Sequence, residues 1–194
     1  MTASPITRRD ADAGGYGFRP MTAADLLMAV GWLETPEVRR WWGDPEEQAS
    51  LLAEDLDDPR MAMWIVSYRG RPFAYIQDYE PGAWALHHLA ALPPESRGID
   101  QFIGEPDMLN QGHGSAFIRA HADSLLAAGA PAVGTDPDPA NARAIRAYEK
   151  AGFSALRETV DAEGHGVLLM VRHAPTPMAR RGARAGLETH GKSA

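Results

Sequence analysis

The chain has 194 residues, of which 44% are hydrophobic and 23% charged, and this length favours one domain with a substantial core. It contains no cysteine, which excludes a disulfide framework, a thiolate metal site and a cysteine nucleophile. The net charge of −7 has the opposite sign to that of a nucleic-acid-binding surface.

The acidic excess lies ahead of Arg172, because the end of the chain is basic. An acidic body attracts cationic small molecules, although it can also serve solubility alone. No apolar run approaches the roughly 20 residues of a membrane-spanning helix, and the N-terminus lacks the apolar stretch of a secretory signal. We therefore expect a cytoplasmic protein without a membrane partner, with a disordered arm at residues 1–15 and a flexible basic tail at residues 174–194.

The first part of the chain predicts a short strand followed by three helices. Residues 16–19 have the pattern of a strand, and Thr22 is a suitable cap for a helix with apolar residues at helical spacing. Pro36 and Gly43 are typical of the first position and the end of a second helix. A third helix is expected from Pro45 to about residue 55.

The second part predicts a mixed sheet. Residues 61–68 and 72–79 are apolar and aromatic and flank a short turn, which indicates a hairpin. A loop-like stretch at 80–96 follows. The remaining predicted elements are a strand at 99–103, a helix at 112–128, a strand at 132–135, a helix at 141–151 and a hairpin of 153–160 with 167–173. This order describes one mixed sheet with helices on its faces.

A glycine-bearing turn precedes the predicted helix at 112–128. Gly112 and Gly114 allow the backbone to approach a ligand, and the first N–H groups of a helix lack partners within it. Together with the helix dipole, these donors suit a phosphate or pyrophosphate. A glycine pair alone is also compatible with a plain turn.

Two motifs resemble those of the GNAT acyltransferase superfamily. The stretch from Gln111 to Ala116 is similar to its Q/R-x-x-G-x-G/A pyrophosphate loop, in a shortened glycine arrangement, and the stretch from Asn141 to Phe153 is similar to its N-x-x-A-x-x-x-Y-x-K-x-G-F signature. With the element order, the resemblance covers residues 16–173. It implies the GNAT fold, of class α/β (α+β), with a single mixed, mostly antiparallel sheet and helices on both faces. It also implies acetyl-CoA as cosubstrate and no metal.

Three shorter stretches are similar to aminoglycoside 6′-N-acetyltransferases: Trp41-Trp42-Gly43, Arg97-Gly98-Ile99-Asp100-Gln101 and Thr135-Asp136-Pro137. This resemblance implies transfer of an acetyl group to a primary amine of an antibiotic sugar, and hence antibiotic resistance. The sequence departs from these enzymes in the 80–96 loop. They carry Asp-Gly-Trp-Trp there, whereas this chain has Gly82-Ala83-Trp84 and then His87-His88. The identity of the amine therefore stays open.

The resemblance assigns the chemistry to Asp100 and Tyr148. An amine attacks a thioester only with its lone pair free, so an alkylammonium needs a base, and Asp100 lies at the position of the catalytic or amine-orienting carboxylate. Taken alone, Asp100 could instead pair with Arg97 or cap the strand. The Tyr148 phenol suits protonation of the departing thiolate, although a lone helical tyrosine is more often a core residue.

The predicted contacts to the amine substrate come from aromatic and polar side chains. Asp136, at the end of a strand, could hold a second ammonium, share the role of base, or be a turn residue. Of the two adjacent tryptophans, we expect one to stack on a sugar or cation and the other to pack in the core. The predicted substrate-binding residues are Trp41, Trp42, Gln77, Asp78, Tyr79, Trp84 and Asp136.

The predicted coenzyme contacts follow the two superfamily motifs and the strand before them. Backbone amides near Gln101 would bind the pantetheine arm in the manner of an added strand, and Asn141 could cap its helix as well as contact that arm. The predicted coenzyme-binding residues are Gln101, Phe102, Ile103, Gln111, Gly112, His113, Gly114, Ser115, Ala116, Asn141, Ala144, Tyr148 and Lys150.

Other interpretations stay open at this point. His87, His88, His113 and His121 have no metal-ligand spacing, so we expect solvated or packed side chains. The chain could be a GNAT acyltransferase for another amine or a hydroxylamine, as in siderophore assembly, or a non-catalytic acyl-CoA-binding module. It could be a monomer or a homodimer.

Overall fold

The computed structural model describes residues 15–83, 88–162 and 164–174. Within these residues, seven strands form one sheet. The strands are β1 (Tyr16–Pro20), β2 (Met61–Tyr68), β3 (Arg71–Tyr79), β4 (Arg97–Ile103), β5 (Ala132–Thr135), β6 (Ser154–Val160) and β7 (Gly166–His173). Their order across the sheet is β1-β2-β3-β4-β5-β7-β6.

The same residues contain five α-helices. They are α1 (Leu26–Leu33), α2 (Pro36–Trp42), α3 (Pro45–Asp55), α4 (His113–Ala127) and α5 (Ala142–Ala151). The predicted helices and strands are confirmed, with ends that agree within a few residues except at the first helix. There, a 3-10 turn at Ala23–Asp25 precedes α1, and Asp25 accepts hydrogen bonds from the backbone and hydroxyl of Thr22. No helix in the described ranges is long and apolar enough to cross a membrane.

The predicted arm at residues 1–15 and the predicted tail at residues 174–194 lie outside the described residues, apart from Gly15 and Ala174. Trp84 and His87 lie outside them as well. The domain limits of 16 and 173 therefore remain predictions.

Alternation along the strands sends successive side chains to opposite faces of the sheet. Ile76 and Ile99 pack on one face with Phe117 of α4. Tyr75 and Phe102 pack on the other face, against α1 and α3. The predicted mixed, mostly antiparallel sheet with helices on both faces is confirmed.

Strands β4 and β5 are the one parallel pair in the sheet of the described residues, and they pair over a short distance only. Their register joins Arg97 to Val133 and Gly98 to Gly134. Past Gly98, β4 continues to Ile103 while its other edge stays paired with β3. The sheet is therefore split at its centre, and the candidate site lies at this split.

Candidate active site

Two adjoining clefts open beside the split between β4 and β5. The first, called here the α5 cleft, has a volume of about 270 Å³ and lies between the end of β4, the start of α4 and one side of α5. The second, called here the carboxylate cleft, has a volume of about 400 Å³ and lies between α3, β4 and the residues that follow β5. Residues that line both clefts are Trp41, Trp42, Gln101, Asn141 and Ala144.

The start of α4 forms one end of the α5 cleft. Gly112 has a φ of +86°, a left-handed conformation that glycine adopts readily, and α4 begins at the next residue. Ser115 Oγ donates to the Gly112 carbonyl oxygen at 3.0 Å, and Gly114 lies beside them in the cleft lining. The N–H groups of this first turn lack acceptors within the helix and carry the positive end of its dipole. This end of the cleft therefore suits an anionic group.

One side of α5 adds positive charge to the same cleft. Arg143, Arg146 and Lys150 all line it, at intervals of three and four residues that place them along one helical face. Only Lys150 was among the sequence predictions. The two arginines share its helical face, so the spacing alone was sufficient to find them.

The N-terminus of α5 is set by Asn141. Its Oδ1 accepts from the Ala144 N–H at 3.1 Å, which confirms the expected cap, and the side chain lines both clefts. Two turns further on, Tyr148 is 4% exposed and packs edge-on against Phe153, with ring centroids 5.5 Å apart. Burial raises the pKa of the Tyr148 phenol above its usual value of 10.0, so the phenol keeps its proton at neutral pH.

Asp100 lies on β4 and faces the carboxylate cleft. Gln77 Nε2 donates to Asp100 Oδ2 at 3.0 Å, and the Tyr75 hydroxyl donates to Gln77 Oε1 at 2.5 Å. This chain of donors fixes the orientation of the amide. Burial, followed by the charge of Asp136, raises the pKa of Asp100 from 3.8 to about 7. The Asp100 carboxyl group thus exchanges its proton near neutral pH.

Gly98, two residues before Asp100, makes room for the ring of Tyr79. A Cβ at Gly98 would lie 2.5 Å from Tyr79 Cε2, which no ordinary packing tolerates. Tyr79 is buried, lies on the same face of the sheet as Asp100 and is hydrogen-bonded to it. The Arg-Gly-Ile-Asp run therefore has a steric reason for its glycine.

Asp136 follows β5 and lines the carboxylate cleft together with Asp100. Its Oδ2 is hydrogen-bonded to His88 Nε2. This bond raises the pKa of the His88 imidazole, and nearby Asp161 and Asp100 add to the effect. His88 was expected to be solvated or packed without a role. No sequence pattern indicates this pair, because the two residues are 48 positions apart and meet only through the tertiary fold.

Two further carboxylates line the same cleft. Asp55, at the end of α3, has a pKa raised by burial and by the charge of Asp58. Asp138 lies just after Asp136 and accepts from the Ala140 N–H at 2.7 Å. The cleft therefore carries a strongly negative lining, which suits a ligand with several positive charges.

The two tryptophans of α2 differ in their surroundings. Trp42 packs edge-on against Phe102 and Tyr75, with centroids 4.9 Å and 6.1 Å apart. Trp41 has the Arg40 guanidinium over its ring at 4.9 Å, and it lines both clefts. Trp41 is the better placed of the two to stack on a ligand.

The predicted contact of Asp78 with the substrate is wrong. Asp78 is 3% exposed and lies on the α4 face of the sheet, since it alternates with Gln77 and Tyr79 along β3. It accepts from Trp64 Nε1 and His121 Nε2, each at 3.0 Å, and from Arg97 Nε at 2.9 Å. The last contact also contradicts the alternative that Arg97 pairs with Asp100.

Some predicted coenzyme residues turn their side chains away from the α5 cleft. The His113 ring is buried, and its Nδ1 is hydrogen-bonded to the Tyr16 hydroxyl at 2.7 Å. The His113 side chain therefore does not line the α5 cleft, and only its backbone N–H is a candidate for coenzyme binding. Ala116 packs against the core. Gln111 Nε2 donates to the Asp107 carbonyl oxygen. By contrast, Gln101, Phe102 and Ile103 all line the α5 cleft, where Phe102 also packs edge-on against Trp42.

No group of three or more acidic or histidine side chains suited to a metal ion occurs among the described residues. Trp84 was predicted to contact the substrate, and its position lies outside those residues.

Comparison with known proteins gives consistent results. The sequence profile described as "Acetyltransferase (GNAT) domain" matches residues 21–161. The chain is 33% identical over 165 residues to the aminoglycoside N(6')-acetyltransferase type 1 of Klebsiella pneumoniae, a match that covers 78% of this chain and 80% of that protein.

Solved structures show the same likeness. The structure of AAC(6')-Ib in complex with parmomycin and acetyl-CoA superposes with a TM-score of 0.71 at 32% identity, over 82% of this chain and 93% of that one. The crystal structure of AAC(6')-Ib with coenzyme A and kanamycin gives a TM-score of 0.70 at 32% identity, over 81% and 94%. The spermidine N-acetyltransferase from Vibrio cholerae shares the fold, with a TM-score of 0.63 at 14% identity, over 82% and 96%.

Proposed function

Because this chain belongs to the GNAT acetyltransferase family, we propose that it transfers the acetyl group of acetyl-CoA to the 6′-amine of an aminoglycoside. The observation that carries this proposal is the carboxylate cleft, where Asp100 and Tyr148 line one opening beside an anion-binding α5 cleft. Modification of the antibiotic amine would confer resistance. We place the reaction in the cytoplasm, where acetyl-CoA is available.

The residues of the α5 cleft fit coenzyme A as a substrate. The start of α4 at Gly112 offers unpaired N–H groups to a pyrophosphate, and Arg143, Arg146 and Lys150 offer three cations to the phosphates. The edge of β4 beyond Gly98 diverges from β5, so its backbone groups are positioned to pair with an extended arm. The same edge can donate to the thioester oxygen as that oxygen gains charge.

Asp100 acts as the base in this proposal. It accepts a proton from the substrate ammonium, which frees the nitrogen lone pair to form a bond with the acetyl carbonyl carbon. A carboxyl group with a pKa of about 7 is suited to this step, because it is partly ionised at neutral pH and still basic enough to take the proton. Gln77 holds its orientation by hydrogen bonding to Oδ2.

Tyr148 acts as the acid. As the bond from carbon to sulfur breaks, the electron pair goes to the sulfur, and the Tyr148 hydroxyl supplies a proton to it. Burial keeps this hydroxyl protonated beforehand. The phenolate that forms can regain its proton from solvent through the carboxylate cleft, which Tyr148 lines together with Asn141.

The remaining carboxylates hold the rest of the substrate. An aminoglycoside is a polyamine, and Asp55, Asp136 and Asp138 surround the same opening as Asp100. Trp41 offers a ring face to a sugar or an ammonium group, an interaction of about 0.5–2 kcal/mol.

An acetyl-transfer assay with a free-thiol readout tests the proposal. We expect turnover of kanamycin and ribostamycin with acetyl-CoA, together with acetylation at the 6′ nitrogen by mass spectrometry. Hydroxylysine serves as the siderophore-type comparison. Turnover of hydroxylysine without turnover of any aminoglycoside would reject the proposal, and coenzyme binding without any transfer would favour a non-catalytic module.

A further inference from the structure

His88 and Asp136 form a pair at the rim of the carboxylate cleft. His88 Nε2 is hydrogen-bonded to Asp136 Oδ2, and the two side chains are 14% and 19% exposed. Asp136 lines the cleft, whereas His88 lies outside its lining. The imidazole therefore contacts the carboxylate without itself lining this cleft.

The geometry leaves Asp136 free to bind a ligand. A carboxylate has about four acceptor positions on its two oxygens, and the imidazole occupies one of them on Oδ2. In the neutral tautomer that carries the proton on Nε2, and in the cation, the imidazole donates in the same direction. Such a bond fixes the carboxylate in one orientation, which lowers the entropic cost of binding.

Asp100 and Asp136, which both line the carboxylate cleft, have different hydrogen-bond partners. Asp100 is hydrogen-bonded by Gln77 and Tyr79, which are both neutral donors. Asp136 is paired with an imidazole that can become positively charged. The two carboxylates therefore differ in the charge that their hydrogen-bond partners can carry.

Resting on the proposed function, we infer that His88 is a positioning residue: it holds Asp136 as the binding group for a substrate ammonium and leaves Asp100 to accept the proton of the reacting amine. The Asp100 and Asp136 carboxylates then have separate roles, although both face one cleft. His88 therefore contributes to substrate binding through Asp136.

The first test needs no substrate. The imidazole of His88 is titrated by NMR in the wild type and in Asp136→Asn, with Asp161 and Asp100 as the other carboxylates that act on it. We expect the pKa of His88 to fall on the Asp136→Asn change, because its principal partner becomes neutral. An unchanged His88 titration would overturn the inference.

The second test is a kinetic cycle of His88→Ala, Asp136→Asn and the double variant. We expect His88→Ala to raise the KM for the aminoglycoside about tenfold or more, the range of a hydrogen bond to a charged group, with a smaller change in kcat. His88→Gln, which retains a side-chain N–H donor, is expected to recover much of the loss. In the Asp136→Asn background, His88→Ala should change KM little.

The controls separate the possible failures. His173 is an exposed histidine at the end of β7, so His173→Ala should have the same kcat and the same KM for the aminoglycoside as the wild type. An equal loss from His88→Ala in both backgrounds, or a loss in kcat alone, would contradict the positioning role. A wild type without aminoglycoside turnover would reject the proposed function instead, and the NMR titration would still decide whether the pair exists.

Discussion

At Asp100 the protein places a carboxyl group between the neutral Gln77 amide and a second carboxylate, Asp136. Both burial and the charge of Asp136 oppose ionisation, and together they bring the pKa of Asp100 to about 7. A base in this range is more useful at neutral pH than an ordinary aspartate. The same shift has a cost in stability, because the folded state holds a proton that the unfolded state releases.

We predict that Asp100→Asn stabilises the protein at high pH. The pKa of Asp100 is raised on folding, so the contribution of Asp100 to wild-type stability falls as the pH rises from about 4 to about 7 and then levels off. Asparagine keeps an oxygen acceptor for Gln77 Nε2 and has no charge to bury. Urea denaturation should show the variant more stable than the wild type by roughly 4 kcal/mol at pH 8 and by only about 1 kcal/mol at pH 4.5. A constant difference at both pH values would contradict this.

At the scale of single elements, local signals predicted most of the fold. Pro36, Gly43, Asn141 and Gly152 mark helix ends at the positions that the structure shows. The error at Asp78 came from assigning three consecutive strand residues to one site, although alternation sends the middle one to the opposite face. That error was avoidable from the sequence. The pairing of His88 with Asp136 was not, because the two residues are distant in the sequence and meet only in the folded chain.

The start of α4 provides a prediction with a matched control. Gly112 and Gly129 both have left-handed φ values, +86° and +111°, and an added Cβ at either one meets no atom within 4 Å. Alanine at either position should therefore cost about 1 kcal/mol of unfolding free energy from backbone strain. Only Gly112 lines the α5 cleft.

We expect Gly112→Ala to raise the KM for acetyl-CoA several-fold, because the added methyl group and the strain disturb the donors of the first turn. Gly129→Ala should leave this KM unchanged. Initial-rate kinetics at varied acetyl-CoA, together with urea denaturation of both variants, measure the two effects. Equal KM values would show that the turn does not contact the coenzyme.

At the scale of the whole molecule, the split between β4 and β5 brings together two clefts of opposite charge. The α5 cleft is positive through α5 and the start of α4, and the carboxylate cleft is negative through residues from α3, β4 and the segment after β5. The net charge indicated a cationic partner but did not indicate where that partner binds. The binding site could not be located from the sequence, because Asp55 and Asp138 come together in the carboxylate cleft only through the tertiary fold.

We predict that this charge contributes to substrate affinity. Asp55→Asn should raise the KM for an aminoglycoside several-fold at low salt, and the effect should shrink as salt screens the charges. Asp57→Asn removes the same charge from an exposed position two residues away and should have little effect. Steady-state kinetics at low and high salt compare the two variants. Equal effects would indicate that net charge alone, and not the cleft, attracts the substrate.

The role of Asp100 as the base can be tested by the pH dependence of kcat/KM for aminoglycoside acetylation, measured for the wild type and for Asp100→Asn. We expect the wild type to show an acid limb with a midpoint near pH 7, since kcat/KM reports the pKa of the base in the free enzyme. We expect Asp100→Asn to lower kcat/KM by about 100-fold or more and to lose that limb. A variant with the wild-type limb and a rate within a few-fold of the wild type would contradict Asp100 as the base.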